Sequence, residues 1–273
     1  MIAARRARVM AVLASCLLAA PAATMHTDAA HPRHDAESLL PVDKRSGSEY
    51  QSAHTRAMQQ DATGNPGLLW VRQGKELWQA APGDAQSCAG CHGKARKSMR
   101  GVAAHYPAID GMSGQLLNLE GRINTCRTRH QRAAPLAYES EELLALSAFV
   151  ARQSAGVPVT VSVDGAARAW FEHGLEFYAT RQGQLNLACR HCHQLNAGRM
   201  LRGERVSQGH GNGYPAYRLE WQTLGSLHRR FKACSAGVRA KMYDYGADEY
   251  LALELFLAWR AQGLAVETLA VRR

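Results

Sequence analysis

Two copies of one short motif constrain this chain more than any other feature of its 273 residues. The pattern Cys-x-x-Cys-His occurs at residues 88–92 and again at residues 189–193. Two thiols at this spacing form thioethers with the vinyl groups of one porphyrin, while the adjacent imidazole ligates its iron. Each motif is followed by one further cysteine, Cys126 in the first half and Cys234 in the second. The doubled pattern predicts two covalently bound haem c groups, each with its iron.

The motifs themselves name the residues that hold the two cofactors. The predicted thioether attachment points are Cys88, Cys91, Cys189 and Cys192. The predicted imidazole ligands of the two irons are His92 and His193.

The first residues are typical of an export signal. Three arginines precede an apolar run over residues 9–20, and Ala20-Pro21-Ala22 supplies small residues for a leader peptidase. The run is too short to span a bilayer, so residues 1–22 are predicted to be a signal peptide that directs the protein to the periplasm. Cleavage before Cys16, as in a lipoprotein, is an alternative that leaves a very short apolar region.

Composition narrows the partners. The chain carries a formal charge of +10 and stays basic after loss of the leader, which favours anionic substrates or an acidic partner protein. Export and the absence of a basic helix with nucleic-acid spacing argue against nucleic acid as a partner. Six of the seven cysteines remain in the mature chain, two attachment thiols and one further thiol for each half.

Similarities between the halves extend well beyond the two motifs. A Tyr-Pro-Ala sequence begins 20 residues before Cys126 and, in the second half, 20 residues before Cys234. Arg122 and Arg230 each stand four residues before that cysteine, and an apolar helix with an acidic first turn follows in both halves. The chain is therefore predicted to be a tandem repeat of one small domain.

The predicted fold is mainly α, with two tandem cytochrome c-like domains that each bind one haem c. The first domain is expected at residues 66–155 and the second at residues 159–273, with the joint near Gly156-Val157-Pro158. Residues 23–65 are polar and lack apolar periodicity, so they are predicted to form an N-terminal arm.

The second axial ligand of each iron has several candidates. Met99 and Met200 both lie seven residues beyond the haem histidine, but they occupy different positions relative to a following Arg-Gly pair. Cys126 and Cys234 occupy matching positions, which favours thiolate ligation, a choice that lowers the potential of the iron. A disulfide between these two cysteines is the competing interpretation, because the periplasm is oxidising.

Positive charge is concentrated in the sequence around Cys234. Residues 228–234 read His-Arg-Arg-Phe-Lys-Ala-Cys, and Arg239 follows. Nearby cations lower the pKa of a thiol and bind a small dianion. Arg230 is therefore predicted to bind substrate, whereas a salt bridge to a haem propionate is an equally supported role for Arg122.

These motifs, together with Arg-Phe-Lys-Ala-Cys-Ser-Ala-Gly-Val-Arg at residues 230–239, resemble the SoxA family, the dihaem subunits of SoxAX cytochromes. The resemblance covers the chain from about Leu69 to its end. It implies an L-cysteine S-thiosulfotransferase that joins thiosulfate oxidatively to a cysteine of the carrier SoxYZ and passes electrons to cytochrome c. It also implies a monohaem partner, SoxX.

The resemblance assigns roles to particular residues. It implies that His92 and Cys126 ligate the first haem iron, and that His193 and Cys234 ligate the second. Cys234 becomes the catalytic cysteine, which is a persulfide in the family, and Arg230 becomes the substrate-binding residue.

Two other functions remain open from the sequence. A dihaem thiosulfate dehydrogenase couples two thiosulfates to tetrathionate and needs no carrier protein. A dihaem electron carrier makes no bonds at all, and the cations around Cys234 argue weakly against it.

Overall fold

Helices dominate the structure, so the mainly α prediction is confirmed. The computed structural model describes residues 35–273, and the predicted signal peptide and the first part of the predicted arm, residues 23–34, lie outside that range. No helix within residues 35–273 has both the length and the apolar character needed to cross a lipid bilayer.

The first half follows one short helix of the arm, α1 (Ala53–Gln60). Its helices and strands are α2 (Leu68–Gln79), α3 (Cys88–His92), α4 (Ala95–Ser98), β1 (Ala108–Ile109), β2 (Leu116–Leu117), α5 (Leu119–Arg129) and α6 (Glu141–Arg152).

The second half repeats this order without a counterpart of α4, and it has additional strands. Its elements are α7 (Arg168–Ala179), α8 (Cys189–His193), β3 (Met200–Leu201), β4 (Glu204–Arg205), β5 (Ala216–Arg218), β6 (Thr223–Gly225), α9 (Leu227–Gly237), α10 (Asp248–Arg260) and β7 (Ala270–Arg272).

In each half the first long helix crosses the last one at a glycine. A Cβ atom on Gly74 of α2 would overlap the backbone carbonyl oxygen of Ala145 in α6. A Cβ atom on Gly174 of α7 would overlap the carbonyl oxygen of Ala252 in α10 in the same way. Only glycine allows backbones this close, so the two crossings have the same physical basis.

Aromatic rings fill the space beside these crossings. Trp78 packs against Phe149 with ring centroids 5.8 Å apart, and Tyr178 packs against Phe256 at 5.1 Å. The helix bearing the lone cysteine is likewise capped in the same manner in both halves, by Asn118 for α5 and by Ser226 for α9. Each cap side chain accepts a hydrogen bond from a backbone N–H in the first turn.

Two features of the structure were not predicted from the sequence, a small sheet and the position of the arm. The last strand, β7, pairs in parallel with β5, which pairs with β6 on its other edge. The arm packs on the second half, although it precedes the first half in sequence. Lys44 Nζ donates to the carbonyl of Gln262, and Gln208 Nε2 donates to the carbonyl of Asp43.

Candidate functional site

The first-half thiols lie close to one another. Helix α3 carries Cys88, Cys91 and His92, and α5 carries Cys126. Burial raises the pKa of Cys88, and the charge of Cys126 contributes to this rise. Burial also raises the pKa of Cys126, against the opposing effect of two arginines, and the charge of Cys91 adds to the rise. The fold therefore brings the distal cysteine to the attachment thiols.

One buried carboxylate neutralises the cations beside Cys126. Asp110 Oδ1 lies 2.9 Å from Arg122 Nη2, and its Oδ2 lies 2.8 Å from Arg129 Nη2. The hydrogen bond from Arg129, with those from Ser113, holds the pKa of Asp110 well below its usual range. Arg122 Nε also donates to the hydroxyl of Tyr106, at 3.0 Å. Both arginines are thus occupied by groups of the protein itself.

The second half places its thiols in the same relation. Helix α8 carries Cys189, Cys192 and His193, and α9 carries Cys234. Burial raises the pKa of Cys189 to about 12, and the charge of Cys234 is the next cause. Burial and the charge of Cys234 also raise the pKa of Cys192.

The imidazole of His193 is fixed in an orientation suited to metal binding. Its Nδ1 lies 2.8 Å from the carbonyl oxygen of Ser207, so the neutral ring donates there and leaves Nε2 unprotonated. A Cβ atom on Gly209 would lie 3.0 Å from the ring, so a glycine makes room for it. The side chain of Cys234 lies close to that of His193. Two attachment thiols, a nitrogen ligand and a facing sulfur form a donor set that fits a haem c group.

Cys234 lies in a more positive environment than Cys126. Burial alone would raise the pKa of Cys234, but the charge of Arg230, the nearby imidazole of His193 and the charge of Arg218 lower it to about 7. The charge of Cys234 in turn raises the pKa of Arg230. Arg230 makes no salt bridge among residues 35–273, so its guanidinium is not held by a carboxylate there.

The sequence places four cations and a histidine near Cys234, namely Arg229, Arg230, Lys232, Arg239 and His228. Most of these side chains have other partners in the structure. Residues 227–237 form a helix, in which only positions three and four apart share a face, so Arg230 is the cation that shares the face of Cys234. Arg229 lies over the ring of Trp221, and Lys232 lies over the ring of Tyr245. Arg239 and His228 also have other partners, Gln184 for the first and Gly246 for the second.

Sequence reasoning missed Arg218, which acts on Cys234 from the neighbouring strand β5. A signal was available in the repeat. When the halves are aligned on their Tyr-Pro-Ala sequences, Arg218 falls on the position of Asp110.

The structure gives less support to the two alternatives to thiolate ligation, which are a disulfide between Cys126 and Cys234 and ligation by Met99 and Met200. None of the six cysteines within residues 35–273 forms a disulfide, Cys126 and Cys234 included. Met200 is 59% exposed on β3, and Met99 packs into the apolar core of the first half.

Helix pairs that cross at glycine beside Cys-x-x-Cys-His helices define a c-type cytochrome. In agreement, the family model described as SoxA/TsdA, cytochrome c domain, matches residues 73–159. A protein named L-cysteine S-thiosulfotransferase subunit SoxA from Pseudaminobacter salicylatoxidans is 41% identical over 84% of this chain and 80% of its own length. The protein of the same name from Paracoccus pantotrophus is 37% identical over 83% of this chain and 78% of its own length.

A solved structure gives the same result. The chain superposes on the crystal structure of SoxXA from P. pantotrophus with a TM-score of 0.80 and 37% identity, covering 84% of this chain and 86% of that chain. The chain belongs to the SoxA family, and the resemblance seen in its sequence is confirmed.

Proposed function

We propose that the chain carries two haem c groups in two tandem cytochrome c-like domains, residues 66–155 and 159–273. The proposal is supported by the equivalent helix crossings at Gly74 and Gly174 and by one motif helix in each half. In this proposal the thioether bonds form at Cys88, Cys91, Cys189 and Cys192.

The axial ligands follow from the same arrangement. His92 and Cys126 ligate the first iron, and His193 and Cys234 ligate the second. The interaction of Cys234 with His193 supports the second pair, because the two side chains meet from opposite elements, α9 and α8. For the first pair the support is the position of Cys126 beside the attachment thiols of α3.

The reaction is the oxidative conjugation of thiosulfate to a cysteine of a SoxYZ-like carrier protein. One S–S bond forms between the outer sulfur of thiosulfate and the carrier sulfur, the carrier thiol loses its proton, and two electrons pass to cytochrome c. Haem c supplies a one-electron acceptor covalently held at the site. The names of the relatives from P. salicylatoxidans and P. pantotrophus support this activity.

A single observation carries the assignment of the site to the second half: Cys234 lies one helical turn from a cation, Arg230, that no carboxylate within residues 35–273 holds. Cys234 is the catalytic cysteine, because positive charge favours the thiolate that both ligation and sulfur exchange require. Arg230 binds the substrate, since its planar guanidinium matches the oxygens of a sulfonate group.

The partners follow from the relatives. A SoxX-like monohaem cytochrome forms a heterodimer with this chain, in agreement with the name of the SoxXA complex from P. pantotrophus. Residues 1–22 direct the protein to the periplasm, where the carrier and thiosulfate would meet it.

The experiment combines the purified heterodimer, thiosulfate, an oxidised cytochrome c acceptor and the carrier protein. We expect the carrier peptide to gain the mass of one thiosulfate group while the acceptor is reduced. The intact mass of the mature chain should also show two covalent haems. If the mass of the SoxYZ-like protein does not change although the chain has its normal haem content, the proposed activity is contradicted. The chain would then be interpreted as an electron-transfer cytochrome.

The second candidate function is that of a dihaem thiosulfate dehydrogenase. The matching family model supports it, because its description joins SoxA with TsdA. In this reaction two thiosulfates form tetrathionate and release two electrons without a carrier. Reduction of the acceptor by thiosulfate alone, with tetrathionate as product, would support it.

A further inference from the structure

One position of the repeat reverses its charge between the halves. Asp110 and Arg218 each stand four residues after the tyrosine of the Tyr-Pro-Ala sequence. Both are buried, at 2% and 4% exposure, next to the helix that carries the distal cysteine. The same place in the fold therefore holds an anion in one half and a cation in the other.

In the first half this position balances its surroundings. Asp110 forms salt bridges to Arg122 and Arg129, the arginines that act on Cys126. A buried ion pair of this kind leaves little net charge for an external anion.

In the second half the position is unbalanced. Nε and Nη2 of Arg218 have no hydrogen-bond partner among residues 35–273. The nearest carboxylate oxygen, Oε2 of Glu220, lies 3.5 Å from Nη2 on a side chain that is 63% exposed. The ring of Trp221 lies 5.1 Å from the guanidinium carbon. Buried donors are nearly always satisfied in proteins, so free donors on a buried cation indicate a missing anion.

The free donors belong to the site of Cys234. Asp110, the first-half equivalent of Arg218, contacts Arg122, and Arg122 is the equivalent of Arg230, so the repeat brings Arg218 to the side of α9 that carries Arg230. Strand β5 supplies the first guanidinium and helix α9 the second. Two guanidinium groups on different elements beside one thiol are an arrangement that can hold a small dianion firmly.

We propose that Arg218 is a second substrate-binding residue, whose free N–H donors bind the sulfonate oxygens of thiosulfate beside Arg230. This inference rests on the proposed function. A substrate-binding role explains why this position is a cation, Arg218, only in the second half. In the proposed function both halves bind a haem, and each haem has propionates. A residue that bound a propionate would be needed in both halves, yet the first half has Asp110 at this position.

The test measures thiosulfate binding to the dihaem chain in its heterodimer by calorimetry, without the carrier, so that no turnover occurs. Arg218→Met should raise the Kd by roughly 10- to 100-fold, the effect of losing a hydrogen bond to a charged group. Arg218→Lys keeps the charge without the fork and should recover part of the affinity.

Arg229→Met is the matched control, on helix α9, which carries Cys234. Its guanidinium lies over Trp221 and faces Glu139, and we expect a Kd within about twofold of the unmodified protein. Circular dichroism and the haem spectrum report whether each variant is folded. If Arg218→Met fails to fold, the Kd of Arg218→Lys decides, since that variant keeps the buried charge.

Several outcomes overturn the proposal. An unchanged Kd for thiosulfate in the folded Arg218 variants overturns it. If these variants instead change the pH dependence of the haem potentials, Arg218 interacts with a haem propionate. If the unmodified heterodimer neither binds thiosulfate nor modifies the carrier, the proposed function itself fails. A heterodimer that modifies the carrier while its Arg218→Met form binds normally refutes only the role of Arg218.

Discussion

The two halves share their helix packing and differ in the charges around the distal cysteine. Gly74 and Gly174 place the long helices at the same contact distance, and Arg122 and Arg230 occupy the same position before the cysteine. Yet Arg122 is held by Asp110, whereas Arg230 makes no salt bridge within residues 35–273. The pKa of Cys126 is accordingly raised, chiefly by burial, and that of Cys234 is lowered to about 7.

This difference teaches where the repeat is constrained and where it is free to vary. A scaffold that binds haem must keep its backbone crossings, because an added Cβ atom meets main-chain atoms that cannot move aside. A side-chain charge beside the haem can change without disturbing that packing. The first half can therefore keep arginines that are neutralised by a carboxylate beside its cysteine, while the second half keeps an arginine without such a partner beside the equivalent cysteine.

The largest expected effect tests which sulfur makes the bond. Cys234→Ser should lower the rate of carrier modification by roughly 1000-fold or more, as expected for loss of a covalent centre. Cys126→Ser, the matched change in the other half, should alter the haem spectrum and retain a rate well above that of Cys234→Ser. Mass analysis of the carrier measures both rates. Equal losses in the two variants would show that the halves are not functionally distinct.

The next effect concerns the salt bridges that neutralise the first site. Asp110→Asn leaves Arg122 and Arg129 without their carboxylate and should lower the free energy of unfolding. Because the pKa of Asp110 is depressed in the fold, its contribution is present above 3.8 and is lost as the pH falls through the folded value. Denaturant unfolding at neutral and acidic pH measures this. A variant as stable as the parent at neutral pH would mean that the ion pairs contribute nothing.

The glycine crossings should respond alike in both halves. Gly74→Ala and Gly174→Ala each force a Cβ atom into a carbonyl oxygen of the partner helix and should destabilise by about 1–3 kcal/mol or more. Thermal unfolding of the two variants gives the comparison. Strongly unequal losses would indicate that the two helix pairs are not equivalent supports.

Much of this scaffold is predictable because it is local or repeated. The motif helices and the helices that pack at Gly74 and Gly174 each follow from residues close together in sequence. The sheet is different, since β7 pairs with β5 across more than 50 residues of chain, and no local pattern encodes that pairing. The contacts of the arm with residues near 208 and 262 are non-local in the same way.

The site shows the same division. Cys234 and Arg230 were identified because each has an equivalent at the same position of the repeat, Cys126 and Arg122. Arg229 and Lys232 were wrongly included because closeness in sequence was taken as closeness in space, whereas the helix turns them to other faces. Arg218 was missed because it lies on a strand 16 residues earlier, and only its alignment with Asp110 would have drawn attention to it.

A last expected effect, a slope of stability with pH, concerns a second unlike pair in the repeat, six residues before each distal cysteine. Glu120 occupies this position in the first half and His228 in the second, and both are buried. His228 Nε2 lies 3.0 Å from Oε2 of Glu254, which also accepts a hydrogen bond from Asn118 at 3.2 Å. Burial, and next the charge of Glu254, raise the pKa of Glu120 to about 8.

A raised carboxyl pKa makes the fold more stable at low pH. The contribution of Glu120 is fully present below its ordinary value of 4.5 and is lost as the pH rises through about 8. Between these values the free energy of unfolding should fall with pH by at most about 1.4 kcal/mol per pH unit for one group. Glu120→Gln, which cannot ionise, should remove that slope, and urea unfolding across this range measures it. If the variant keeps the full slope, another group takes up the proton and Glu120 is not the source of the pH dependence.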